Sequence, residues 1–334
     1  MAPTLPRPRG PLSAALFDHW TQDRPIGSAR TTGCDPLADE DLHLALWACY
    51  QLHYDGFDGV DERREWDPLT LAFRRVLERA FEGALRAEHH PAELPAEPVL
   101  ALRVLAERAG PPLSSTVEAS PDRGRLEELA IHRSAYQLKE ADPHTWGIPR
   151  LRGPGRAALI RIQSEEYGEG EPGCSHAELF ARAMDDLGLD SSFGAYIDRL
   201  PGSTLATDNL ISMFGLHRRL RGALVGHLAL FEMCSVTPML RYLTAARRLG
   251  DAPNLERFYE VHVEADATHS LLALHDMVAP MVAHDPNLGP DVVFGAAALG
   301  RVESRFARHI LDAWETGSSS LRPVVDQRPA RTAA

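Results

Sequence analysis

Cysteine is scarce in this chain: four occur among 334 residues, Cys34, Cys49, Cys174 and Cys234, and no two stand in a CxxC pair. Neither a disulfide framework nor a thiolate zinc site is therefore expected, and the compartment reads as reducing. No run of about eighteen apolar residues, the length of a membrane span, is present. The opening MAPTLPRPRGPLSAALF is proline-rich and lacks the apolar centre of a signal peptide. A cytoplasmic protein without a membrane partner is the expectation.

Basic charge is also in deficit. Lys and Arg number 35 against 47 Asp and Glu, a net charge of -12, and the two signs are interleaved rather than blocked. That argues against nucleic acid as a partner and leaves a small molecule as the default. No HExxH, phosphate-binding glycine loop, GxSxG elbow or Cys-Pro haem pattern occurs, which removes support for zincin, nucleotide and serine-hydrolase chemistry. The ferritin-like di-iron signature of an ExxH on each of two helices is absent too, which weighs against that bundle.

What the chain does have is a 44% hydrophobic content with apolar residues recurring at helical spacing in stretches of Ala, Leu, Arg and Glu. No stretch alternates as a strand would, so the expected class is all-α. Helices are predicted over 38–56, 68–90, 96–108, 124–141, 153–167, 175–187, 203–217, 218–247, 253–282 and 290–315. Residues 1–37 and 317–334, rich in Pro, Gly and Arg, are expected to be a loose N-terminal segment and a disordered tail. An N-terminal helical extension over 38–122 and a catalytic domain over 123–316 lie between them.

The most informative segment is FYEVHVEADATHSLLALHDM. On a helix, His262, Asp266 and His269 fall within an arc of roughly 60° and span about 10 Å. Phe258, Ala265 and Leu272 flank that face, whereas Arg257, Glu260 and Glu264 lie elsewhere. Two imidazoles and a carboxylate turned into a core need pairing or a metal, and mixed nitrogen and oxygen donors suit iron or manganese. An inward His with an Asp four residues on is also a common core hydrogen bond, so further donors must decide. Candidates are Glu232, in the apolar setting GHLALFEMCSVTP; Glu166 with His176 across the Gly/Pro break in IQSEEYGEGEPGCSHAELF, with Glu165 competing; and Glu140 in AYQLKEADPHTWGIP, with Asp142 and His144 nearby.

Other residues carry weaker signals. Tyr50, His53, Tyr54 and Phe57 read as core packing, and the His89-His90 pair as an exposed helix end. His227 and His275 are placed to support metal ligands through hydrogen bonds. Tyr167 is placed to donate to a carboxylate or simply to pack. Arg218, Arg219 and Arg221 read as a solvated face.

Taken together, the H-x3-D-x2-H of His262, Asp266 and His269, Glu232 thirty positions before it, the E-x9-H of Glu166 and His176, and Glu140 upstream resemble the haem-oxygenase-like di-iron oxidases and oxygenases, or iron-containing redox enzymes. The phrases LWACYQLHYDGF, YQLKEADPHTWGIPRL and FYEVHVEADATH extend the likeness over most of 40–315. The resemblance selects Glu166 over Glu165. It implies a seven-helix bundle like haem oxygenase but without haem, whose last ligand-bearing helix can unwind in part when metal is absent.

It further implies two Fe(II)/Fe(III) ions, with manganese as the alternative, held by Glu140, Glu166, His176, Glu232, His262, Asp266 and His269. Members of this group use O2 to oxidise small metabolites by N-oxygenation, desaturation or carbon–carbon cleavage. The partners implied are O2, a small organic substrate such as an amine or amino-acid derivative, an external electron donor, and a second copy in a homodimer. The rival readings are a metal-free helical binding or assembly protein and a cofactor-independent oxidase on the same fold.

Overall fold

Caps and prolines set where the helices of this chain begin. The structure is a computed structural model that describes residues 2–27, 31, 33 and 35–323; Cys34 and residues 324–334 lie outside the described residues. Helix α1 (Pro11–Gln22) opens on a proline, and the Asp41 carboxylate accepts from its Leu12 and Ser13 amides at 2.7 and 2.9 Å. Asp39 caps α2 (Glu40–Gln51), and Asp67 with Pro68 opens α3 (Pro68–Ala87). Glu97 and Pro98 open α4 (Pro98–Ala106), followed by α5 (Leu113–Ala119) and by α6 (Arg123–Gln137), capped by Asp122.

The remaining helices are α7 (Asp142–Thr145), α8 (Gly153–Glu166), α9 (His176–Asp186), α10 (Gly202–Leu216), α11 (Arg221–Leu249), α12 (Pro253–Leu271), α13 (Ala279–His284) and α14 (Gly289–Glu315). No strand occurs among the described residues. The fold is all-α, as its periodicity demands: a haem-oxygenase-like helical bundle with added N-terminal helices.

Helix α11 is the axis of the bundle, with α12 along one side and α14 along the other. Gly226 of α11 and Gly295 of α14 make the second contact close, because a Cβ at either would overlap the partner's backbone at Val292 or Ala223. The N-terminal helices are not a separate body: α2 packs on α10, α4 on α14 and α5 on α11. By length and composition Arg218–Leu249 could cross a membrane, but its apolar window is 61% buried in the bundle, as befits a core helix.

Two expectations need correction. The first 37 residues, read as loose, hold α1, whose Leu12, Leu16, Phe17 and Trp20 are buried. The tail from 317 is ordered through its described part, because Ser320 is buried against His132, 2.8 Å away, and against Glu128. Short α5 escaped prediction, since seven residues hold fewer than two turns of periodicity.

The apolar core falls into two clusters. One joins α1, α2 and α3 to α10 and the first halves of α11 and α14; the other joins α5, α6, α9 and α12 to their second halves. Along α11, Leu230 belongs to the first and Met239 to the second. Between them stands Glu232.

Candidate metal centre

The chain reaches this junction by interrupting its helices at acidic residues. Helix α8 ends on Glu166, and Gly168 then takes a φ of 64°, where a Cβ would overlap the backbone of Cys174 and Ser175. The chain doubles back, and Ser175 with Glu178 forms a capping box that makes His176 the first residue of α9. Glu166 Oε2 and His176 Nδ1 consequently lie 2.8 Å apart. Glu140 sits in the turn that follows α6, before Asp142 and Pro143 start α7. Helix α12 runs unbroken through His262, Asp266 and His269, all buried on one face, and loosens into a π-helical turn only from Leu272 to Val278.

Six of the seven expected residues gather into two buried triads: Glu140, His176 and His262 in one, and Glu166, Glu232 and His269 in the other. In each, one donor atom per residue lies within 4.8 Å of the others. The triads adjoin through the Glu166–His176 approach, and within the first triad the His176 and His262 ring centroids are 4.3 Å apart. Asp266, the seventh, lines the same small cavity of about 10 Å³ as Glu140, Glu166, Glu232 and His262.

The hydrogen-bond pattern is not that of a satisfied core network. His262 Nδ1 donates to the Phe258 carbonyl at 2.8 Å, which turns Nε2 toward Glu140 Oε2 at 3.3 Å. His269 Nε2 meets Glu165 Oε2 at 2.9 Å, which turns Nδ1 toward Glu166 at 3.3 Å and Glu232 at 3.6 Å. A neutral imidazole in either position would oppose its lone pair to a carboxylate's. Glu166 Oε2, His176 Nδ1 and His269 Nδ1 are buried without an aligned hydrogen-bond partner among the described residues, although Glu166 and His176 are close. Convergent lone pairs of this kind call for cations between them.

Protonation energetics say the same. Burial is the largest influence on His262 and His269 and lowers both, yet Glu140, Asp266 and Glu166 lift His262 to about 10. Glu166 and Glu232 lift His269 to about 11. Burial pushes Glu232 up to about 8 against the attraction of His269, with Asp266 and Glu166 adding repulsion. Burial also raises Asp266. It raises Glu166 in the same way, but His176, His269 and His262 outweigh it and hold that carboxyl below the usual range.

Other expected residues take ordinary places. Tyr50 donates to Glu78 at 3.1 Å, His53 pairs with Glu65 at 3.0 Å and Phe57 joins the core, while Tyr54 bonds Ser212 at 3.2 Å and lies under Lys139. Tyr167 donates at 2.7 Å to Asp142, which belongs to neither triad. Arg219 pairs with Glu82 and Arg221 with Asp285. His275, expected to support a ligand, is instead exposed on the π-helical turn beside Arg103, because even the regular helical step of about 100° leaves it roughly 140° round the axis from His262. His89 is half-buried against Phe294 rather than fully exposed.

Two features escaped sequence reasoning. Glu165, set aside as the weaker competitor of Glu166, is the outer partner of His269. His144, taken for a decoy, is buried in the wall of the small cavity with its Nε2 unpartnered among the described residues, and its ring is 5.4 Å from that of His227. Consecutive glutamates and an isolated histidine carry no spacing signal that would have separated these roles.

With the geometry established, known proteins can be set beside it. A family model described as "Iron-containing redox enzyme" matches residues 127–304. A nitrosourea synthase of Streptomyces achromogenes subsp. streptozoticus is 27% identical over 187 residues, 55% of this chain and 40% of that protein. The chain thus spans about two-fifths of the length of the curated relative it matches.

Proposed function

The chain belongs to the iron-containing redox enzyme family, and from that premise we propose that the two triads with Asp266 hold two iron ions that serve an O2-dependent oxidation of a small organic molecule. The observation that carries the reading is the pair of buried His/carboxylate triads, in which atoms of Glu166, His176 and His269 converge without an aligned hydrogen-bond partner among the described residues. The donor set fits the ions: Glu140, Glu166, Glu232 and Asp266 supply four negative charges against two divalent cations, and His176, His262 and His269 bind as neutral imidazoles. Nitrogen and carboxylate ligation suits Fe(II), with Mn(II) the alternative, and leaves thiolate-seeking metals without a donor. When bound, the ions would supply the redox chemistry with O2.

The protein's own part is to position and to exclude. Phe258 holds His262 and Glu165 holds His269 in one tautomer each. The Tyr136 and Phe231 rings, 5.5 Å apart and edge to face, wall the small cavity and keep bulk water from the donors. The relative's name denotes a nitrosourea product, which favours an amine or amino-acid derivative as substrate and N-oxygenation over desaturation or carbon–carbon cleavage. An external electron donor, a homodimer and a cytoplasmic setting belong to the same reading.

Iron content and O2 uptake test it. Anaerobic reconstitution with Fe(II) should give about two irons per chain, and mixing with O2 should give a transient visible absorbance. Iron below about one per chain, indifferent to His262→Ala, would return the chain to the metal-free binding reading. O2-dependent turnover without iron would favour the cofactor-independent oxidase.

A further inference from the structure

A second, far larger cavity of about 1230 Å³ opens on the other side of the Tyr136–Phe231 wall, since both residues line it as well as the small one. Ser235 lines it too, and its hydroxyl donates to the Glu232 carbonyl at 3.1 Å. One aromatic pair therefore separates a compartment of metabolite size from the proposed metal ligands. Its inner walls come from α6, α11 and α14, and its outer wall from the chain between Glu88 and Ser115. That outer wall lies before the residues 127–304 that match the family, whereas most of the inner walls lie within them.

The charge of the lining runs against that of the protein. In a chain of net charge -12, the cavity carries six arginines and no lysine, against four carboxylates. Arg133 is paired bidentately with Glu303 at 2.9 and 2.8 Å, and Arg301 and Arg305 share Glu88. Arg241 reaches Glu118 at 3.6 Å. Arg108 and Arg308, both exposed, have no side-chain partner among the described residues; the lining carboxylates Glu93 and Asp312 have no ion pair there either, so the lining as a whole keeps a surplus of positive charge. The lining also holds apolar and aromatic side chains, Leu230, Met239, Tyr242 and Tyr259 among them. A lining with a surplus of guanidinium groups, closed in part by the aromatic pair that also lines the small cavity, suits an anionic group carried on an apolar body.

We propose that this cavity is the substrate compartment of the centre, and that it selects a molecule bearing a carboxylate, held by the exposed Arg108 and Arg308 with its apolar body directed to the Tyr136–Phe231 wall. The inference rests on the di-iron reading for the word substrate, but the selectivity itself is a property of the protein without metal. An amino-acid derivative with its carboxylate outward would present its far end to the wall.

The experiment uses metal-free full-length protein, so that its failure cannot be confused with a failure of iron binding, which is counted separately. Isothermal titration with 4-phenylbutyrate, its amide and 4-phenylbutylamine compares anionic, neutral and cationic forms of one shape. The carboxylate should bind best, and a double Arg108→Ala, Arg308→Ala variant should lose about five- to tenfold in its affinity, less at high salt, as two partly exposed charges allow. Both arginines are exposed, so folding is expected to survive and is checked by circular dichroism. Arg308→Glu should turn the preference toward the amine. Tightest binding by the amine, an unchanged affinity in the double variant, or no binding of any probe at up to about 5 mM would overturn the proposal.

Discussion

Histidines are buried in two kinds of surroundings in this molecule, and their neighbours decide which way their pKa values move. His43, His132, His144 and His227 follow the simple rule: burial pushes His43 down to about 3 and His144 to about 4, and carries His132 and His227 well below the ordinary value. His43 and His132 bond only neutral groups, the Pro36 carbonyl and Asn209 for the first, Thr204 and Ser320 for the second. His262 and His269 are just as buried, yet stand at about 10 and about 11 because carboxylates face them. An imidazole among neutral partners is a fixed part of the core. An imidazole walled by carboxylates is a place for a cation, whether a proton or a metal ion.

The strongest way to break this comparison is to delete one histidine from each class. His269→Ala removes a side chain that meets Glu165, Glu166 and Glu232, and bound iron is expected to fall from about two per chain to below one. His132→Ala should leave the iron count unchanged and lower stability by about 1–3 kcal/mol, because Thr204 and Ser320 lose a buried partner. Elemental analysis after anaerobic reconstitution, with urea unfolding of the metal-free forms, measures both. Equal iron loss in the two variants would mean that both act through folding, and the classes would merge.

The sequence distinguishes the two classes only in part. Helical period and cap residues are local signals, so α8, α9, α10 and α11 lie within a few residues of their predicted ranges, and the stripe on α12 follows from the 100° step alone. Glu140 comes from a turn and Glu166, His176 and Glu232 from three separate helices, and no periodicity relates them; order and spacing shared with a family picked them out. His132 and His227 look no different in sequence from His262, because what separates them is a neighbour supplied by another helix. The large cavity was illegible for the same reason, as its walls are assembled from segments as distant as Glu88 and Asp312. Trp20 and Ser320 show the limit at the chain ends, where a few buried anchors order segments whose composition reads as loose.

The pH dependence of the metal-free protein should separate the classes next. A histidine whose pKa falls on folding takes up its proton first in the unfolded chain, so its contribution is intact above about 6.5 and is lost as pH falls toward the folded value. For His43, with a folded value of about 3, the loss between pH 7 and pH 4 amounts to about 3 kcal/mol. His262 and His269 have raised values, so their contribution is complete below about 6.5 and disappears as pH rises through 10 to 11. Urea unfolding across pH should therefore show an acid limb that His43→Gln flattens and an alkaline limb that it leaves alone. An acid limb unaltered in that variant would place the titrating group elsewhere.

The finest distinction is within the centre itself, between a carboxylate that binds metal and one that only orients an imidazole. Glu165 and Glu166 are consecutive and both reach His269, Glu165 at Nε2 and Glu166 at Nδ1. Glu166 is buried inside a triad; the Glu165 side chain keeps 31% exposure and leans toward Arg161 at 3.7 Å. Glu165→Gln preserves an acceptor for the Nε2 proton and removes only the charge that makes the imidazole a better donor to metal. Saturating iron should stay at about two per chain, while affinity in an anaerobic competition titration falls about tenfold. Solvent at Glu165 keeps the effect small. Loss of a whole iron would move Glu165 into the ligand set beside Glu166; an unchanged affinity would reduce its contact with His269 to a pairing of no consequence for metal, the behaviour of the core histidines in the other class.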